Sequence, residues 1–304
     1  MIKKPEQMSF NDKKLAVIIG GVAGIGKTTL ALSSPKPLLI DLDKGVSRVE
    51  ARYRTDTAFI SSYDELISDL KNSDLSEYET LVIDTGGKLL DLLKPVVIKE
   101  DSKNGKRDGN LSLQGYGAVK KKFSDFIKFV KTLDKHLVIV FHATEVNLPN
   151  DLMGLRIRLE GSSKDEVWDD IDVGGFIEMN GKSRTIGFSN CERYYAKGTH
   201  GIHGVYDIPT LERGAKNTFL TDLFSKIKND LNEEVLEIGK YNQVMNTMTP
   251  VIDNANDLES INNAFNQLTS VSHCLTSKDE LWYRLNTKAQ NLGYKYDKST
   301  KQFI

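Results

Sequence analysis

Eight consecutive residues hold a chemistry-bearing pattern. Gly21, Val22, Ala23, Gly24, Ile25, Gly26, Lys27 and Thr28 match G-x-x-x-x-G-K-[ST] at every position. Each residue type has a physical reason to be there. The glycines let the backbone curl until successive N–H groups face one point and bind a phosphate. The lysine ammonium reaches the β- and γ-phosphates, and the threonine hydroxyl is a Mg²⁺ ligand. With Thr29 as the next residue of the cradle, the expected occupants are ATP and Mg²⁺.

Such a cradle works only between a strand and a helix. Leu15-Ala-Val-Ile-Ile19 reads as a buried strand, and residues 29–32 open a helix. Strands are expected at 14–20, 37–42, 79–84 and 136–142, and helices at 27–33, 63–72, 86–98 and 115–133. That alternation predicts an α/β fold with a mostly parallel sheet covered by helices. Residues 172–180 and 182–189 flank Gly181 and read as a β-hairpin at one sheet edge. Beyond 218 the pattern is helical, at 218–230, 232–247, 257–270 and 277–291, with breaks at Pro250 and 254–256. Residues 229–260 carry seven acids against one lysine. The chain therefore divides into a core at 1–230 and a small helical C-terminal appendage at 231–304.

Composition sets outer bounds. The 304 residues are 39 % hydrophobic, enough for a sizeable core, and the net charge of −1 argues neither for nor against nucleic acid. Two distant cysteines, Cys191 and Cys274, suit a reducing cytoplasm and no disulfide framework. No apolar run is long enough to span a membrane and the N-terminus lacks a signal peptide's apolar core, so a cytoplasmic protein without a membrane partner is expected.

Further acids narrow the chemistry. Residues 79–84 form an apolar strand ending in Asp84, placed to hold Mg²⁺ through its water shell. The next residue is Thr85, so a general base must come from elsewhere. Residues 38–45 end the second strand with Asp41 and Asp43, which alternation puts on one side. Asp43 lies further into the loop and is the better candidate to orient a water toward the γ-phosphate. His142 ends the strand at 137–142, where a polar side chain can sense the γ-phosphate; Glu145 follows it.

The P-loop, an acid ending the second strand, Asp84 without a following acid and a polar residue ending the next strand together resemble the RecA-like ATPase core. More closely, the chain is similar to phage-encoded P-loop ATPases classed with RecA-like single-strand annealing and recombination proteins. The stretches that carry this are 21–28, 38–45, 80–85, 111–117, 138–145 and 195–199, within residues 13–215. The resemblance implies a RecA-like P-loop NTPase core acting on single-stranded DNA, as a ring or filament with ATP between subunits. It allows a single-strand-binding protein as a further partner. It also implies that Lys197 reaches a neighbour's γ-phosphate in trans. Asp43 stands where such cores usually carry glutamate, and its shorter side chain argues against fast hydrolysis.

Nucleic acid would need cations on one face. Residues 94–131 hold ten Lys or Arg against four acids, with a loop expected at 99–110 and Lys120, Lys121, Lys122, Lys128 and Lys131 on the next helix. Phe123, Phe126 and Val130 recur at helical spacing and read as core. The resemblance favours Arg156 and Arg158, with Lys164 in the same expected loop. Trp282, Tyr283, Tyr294 and Tyr296 make the tail a second candidate surface. A replication helicase or helicase-loading factor is the alternative function. A small-molecule kinase lacks its arginine-rich lid, and a GTPase lacks N-K-x-D.

Overall fold

An apolar run with no polar face belongs in the middle of a sheet covered on both sides. β1 (Ala16–Gly21) occupies that position, pairing in parallel with β5 (His136–Asn147) on one side and β7 (Val173–Asn180) on the other. The computed structural model describes residues 2–159 and 167–304. They form two compact units, one of residues 13–227, the other of the residues up to 12 together with 228–304.

The first unit is built on one sheet. Its remaining strands are β2 (Pro37–Asp41), β3 (Thr57–Phe59), β4 (Thr80–Asp84), β6 (Met153–Ile157), β8 (Ser183–Gly187) and β9 (Val205–Ile208). The order is β3-β2-β4-β5-β1-β7-β8-β9, with β6 paired to the far part of β5. From β3 to β7 the pairs are parallel, and β7-β8-β9 close the edge antiparallel. This is the α/β architecture with a mostly parallel sheet expected from the sequence, including its edge hairpin. The order has one consequence for chemistry. β5 lies between the P-loop strand and the Asp84 strand, so Gly21 is in register with His142, and Asp41 with Asp84. The ends of β1, β2 and β4 therefore meet at one carboxyl edge, beside His142 of β5.

Helices α1 (Lys27–Ala31), α2 (Tyr63–Asn72), α3 (Gly86–Glu100) and α4 (Leu113–Thr132) pack on the sheet. Ser62, Thr85 and Ser112 cap α2, α3 and α4, each side chain accepting a bond from an orphan N–H of the first turn. On α4, Val119, Phe123, Phe126, Ile127 and Val130 are all buried, so the aromatic stripe is core.

Several elements depart from the sequence pattern. β5 runs on to Asn147 and pairs with β6, so much of the loop expected after residue 145 is a hairpin. The loop expected at 99–110 begins with a 3-10 turn, Ser102–Asn104, whose Asn104 is buried and donates to the Val97 carbonyl at 2.8 Å. The helices expected at 218–230 and 232–247 are one helix, α5 (Phe219–Asp253), which passes through Pro250. A proline removes one intrahelical bond. Here it sits in the last turn, and burial of Met248 and Ile252 on either side outweighs the loss.

The second unit contains α5 from residue 228, α6 (Leu258–Ser270), α7 (Ser277–Asn291) and a short hairpin of β10 (Tyr296–Asp297) and β11 (Gln302–Phe303). The chain start belongs here: Phe10 N–H donates to Asn232 and Asn242 donates to Glu6. Its core joins Met248, Ile252, Leu281 and Leu285 to Phe303, with Phe265, Trp282, Tyr294 and Tyr296 packed against them. Trp282 meets Tyr296 edge-on at 4.9 Å between centroids. The tail aromatics expected to offer a nucleic-acid surface are thus mostly core; Tyr283 alone of the four stays exposed, at 73 %. Among the described residues no helix is long and apolar enough to cross a membrane.

Candidate functional site

The residues leaving β1 turn back on themselves before α1 begins. Gly24 and Gly26 have φ of +78° and +98°, a left-handed backbone that side chains with a Cβ rarely adopt. An added Cβ on Gly26 would also lie 2.3 Å from Nη1 of Arg184, so that guanidinium rests over the loop. α1 is only five residues long. The loop N–H groups and Lys27 therefore supply most of the attraction for an anion, and a long helix dipole does not.

Lys27 is 5 % exposed, and its ammonium donates to the Val22 carbonyl at 2.7 Å. Burial lowers its pKa, against the pull of Asp84 and Asp43. The Thr28 hydroxyl donates to Oδ2 of Asp84 at 2.5 Å, so the two expected Mg²⁺ ligands touch although 56 residues separate them. Asp84 is 5 % exposed and its pKa is pushed up to about 6, first by burial and then by Asp43 and Asp41; Thr28 and Lys27 oppose the shift. Keeping that carboxylate ionised at neutral pH costs about 3 kcal/mol relative to water, at about 1.4 kcal/mol per pK unit. A divalent cation in contact would offset this. One hydroxyl and one carboxylate suit Mg²⁺, which keeps several waters and takes its remaining oxygens from phosphates. The donor set fits the ion, and no cluster of three His, Cys, Asp or Glu exists among the described residues to favour a protein-caged metal.

A cavity of about 170 Å³ opens over the loop, lined by Gly24, Lys27, Thr28, Thr29, Asp84, Asp43, Arg48 and His142. The two acids after β2 divide their roles. Asp41 is 1 % exposed and accepts from the N–H groups of Gly45 and Val46, holding the turn that follows. Asp43 reaches the cavity and pairs with Arg48 at 2.9 Å. His142 lines the same cavity; burial and the Lys27 charge lower its pKa, which favours the neutral ring. Glu145 is exposed on the arm of the β5–β6 hairpin and does not line this cavity.

Lys197 is elsewhere in its own chain. It bridges Gly174, opposite Ile18 on β1, and its ammonium donates to the carbonyls of Trp168 and Asp169 at 3.0 and 3.3 Å. The cations expected for nucleic acid are also largely engaged. Lys120 pairs with Asp169, Lys122 with Glu100 and Lys131 with Asp172. Arg156 donates to the carbonyls of Leu155 and Arg193 at 2.9 and 2.8 Å, which makes it a tie for the hairpin. Lys164 lies outside the described residues. Arg158 instead lines a cavity of about 430 Å³ with Tyr116 and with Lys88 and Lys94, which both pair with Asp91 in the same wall, and His142 is a wall of both cavities.

Two arginines at the site were not apparent in the sequence. Arg48 carries no spacing signal, and Arg184 arrives through the register of the β7–β8 hairpin.

Residues 13–200 match the AAA domain family, well over half of the chain. The chain belongs to that family. Its AAA domain is a P-loop nucleotide-binding domain, in keeping with the Lys27, Thr28 and Asp84 geometry. No curated protein sequence matches the chain. Among solved structures, a KaiC-like protein from the hyperthermophilic archaeon Pyrococcus horikoshii OT3 is similar at 12 % identity. It covers 64 % of this chain and 89 % of that one, with a TM-score of 0.36.

Proposed function

We propose that this AAA domain binds ATP with Mg²⁺, hydrolyses it, and acts on single-stranded DNA in phage recombination, by annealing or strand exchange, in the cytoplasm of the host cell. The observation that carries the ATPase part is the meeting of Thr28 with Asp84 beside Lys27, in one cavity with Asp43 and His142. Lys27 holds the β- and γ-phosphates, and Thr28 and Asp84 hold the cation. When bound, the ion offsets charge on the phosphates. Asp43 orients the attacking water and accepts its proton once Arg48 turns from it to the γ-phosphate. His142 senses that phosphate.

What supports the DNA part is the neighbouring cavity with Lys88, Lys94 and Arg158, because its wall, His142, also faces the nucleotide. A phosphate-bearing strand there would be coupled to the presence of the γ-phosphate. In an oligomer Lys197 would complete a neighbour's site after leaving its two carbonyl partners. The deciding experiment measures ATPase activity with and without single-stranded DNA, alongside the mass of the assembly. Stimulation by the strand supports the reading; ATP turnover indifferent to DNA, with no strand binding, removes the DNA part and leaves the ATPase.

A further inference from the structure

The cavity of about 430 Å³ beside the nucleotide site has two kinds of wall. One is cationic. Lys88 and Lys94 stand in it with Asp91, their shared ion-pair partner, and Arg158 is its third cation. The Arg158 side chain is exposed, and its guanidinium has no hydrogen bond or ion pair among the described residues.

The other wall is apolar: Leu90 of α3, Leu111, Val119 of α4 and Leu159, with the half-buried ring of Tyr116. Leu90, Leu111 and Val119 are core residues, so this wall is the packed flank of two long helices. Leu111 is fixed in addition by a backbone bridge to Gly105. The cavity is thus preformed, as small-molecule sites usually are.

Phosphates need only the cations. An apolar floor beside them suits a flat, poorly hydrated group, and a nucleotide unit carries both parts, a base with a π-face and a phosphate. A duplex keeps its bases stacked and paired, and turning one out costs that energy. A single strand offers its bases without the cost. We propose that this cavity takes one base of a single strand, laid on the Tyr116 ring against the apolar wall, with the adjoining phosphate at Arg158. This rests on the single-stranded DNA reading of the function, and it adds a reason for preferring single over double strands. The phosphate end also touches the nucleotide site: the Arg158 N–H donates to the His142 carbonyl at 2.7 Å, and His142 lines both cavities.

The test compares labelled oligo-dT, an abasic strand of the same length and a duplex of the same length, by fluorescence anisotropy on the full chain with ATP and Mg²⁺. The wild type should bind oligo-dT about tenfold or more tightly than the abasic strand, the usual worth of a stacked base, and more tightly than the duplex. Tyr116→Ala should weaken oligo-dT by about tenfold and leave the abasic strand unchanged, whereas Tyr116→Phe, which keeps the ring, should bind like the wild type. Leu159→Ala should weaken oligo-dT alone, by a smaller factor, so the result does not depend on Tyr116→Ala folding. Arg158→Ala should weaken both single strands by the same factor. The base subsite is overturned, while DNA binding stands, by equal wild-type affinity for oligo-dT and the abasic strand, by a duplex that binds as tightly as oligo-dT, or by Tyr116 and Leu159 variants that lose oligo-dT no more than the abasic strand. Failure of the wild type to bind either single strand overturns the DNA reading itself, and the subsite with it.

Discussion

Arg48 folds back across Gly45 so that its Nη2 donates to both carboxylate oxygens of Asp43, at 3.0 and 2.9 Å. The acid best placed to orient a water is therefore already held by a cation, and both line the phosphate cavity. On the proposed reading, an entering γ-phosphate would compete for the arginine and free the carboxylate. Asp43→Asn should keep ATP binding and lose about 10²–10⁴-fold in hydrolysis, the usual worth of a general base. Arg48→Ala should weaken ATP by about tenfold, because a charge-assisted bond to phosphate is lost. Single-turnover hydrolysis and nucleotide titration read the two effects separately. Unchanged turnover in Asp43→Asn would take the base role away from it.

Lys27→Ala should abolish ATP binding while the fold survives. The ammonium bonds to one carbonyl of its own loop, and its burial lowers its pKa, so the fold holds the charge at a cost. The thermal midpoint of the variant should equal or exceed that of the wild type. Calorimetry with and without ATP checks both parts.

If Lys197 serves a neighbour's site, neither Lys27→Ala nor Lys197→Ala chains should turn over ATP alone. A mixture of the two should recover part of the activity, because some interfaces pair an intact P-loop with an intact lysine. Full activity of Lys197→Ala by itself would remove the trans role, leaving the lysine as a tie to Trp168 and Asp169.

His142 links acidity to stability. Its pKa lies below the ordinary value because of burial and the nearby Lys27, with Arg158 and Arg48 acting the same way and Asp43 opposing. A group with a depressed folded pKa stabilises the fold above the unfolded pKa of about 6.5, and that stability is lost as pH falls through the folded value. Between pH 7.5 and 5.5 the wild-type thermal midpoint should fall further than that of His142→Gln. Equal declines would show that His142 is not the titrating group.

Gly86 tests how closely the Asp84 strand end is packed. A Cβ there would lie 2.3 Å from Cζ of Phe141 and 2.6 Å from Cγ2 of Ile139, both fully buried. Gly86→Ala should destabilise the chain by about 1–3 kcal/mol, the usual cost of overpacking. Urea unfolding gives the value, and a change below about 0.5 kcal/mol would mean that the core around Phe141 yields easily.

What the sequence determined by itself was local. The glycines and Lys27 of the P-loop are contiguous, and apolar periodicity marked β1, β4, α4 and the β7–β8 hairpin because each pattern is set by neighbours a few residues apart. It also singled out Asp84, since an acid ending an apolar run is visible without a partner. Tertiary structure decided the rest. Whether Asp84 meets Thr28 depends on β5 standing between β1 and β4, and no residue spacing encodes strand order. The split between Asp41 and Asp43 depends on which carboxylate the backbone at Gly45 and Val46 captures. Trp282 and Tyr296 looked available because their partners, Phe265 and Phe303, approach only when the second unit folds. Arg184 reaches Gly26 through the register of an antiparallel pair, where a slip of one residue would turn it to the opposite face. Contacts of this kind join chain segments far apart, and the burial and hydrogen bonding of the assembled sheet alone select them.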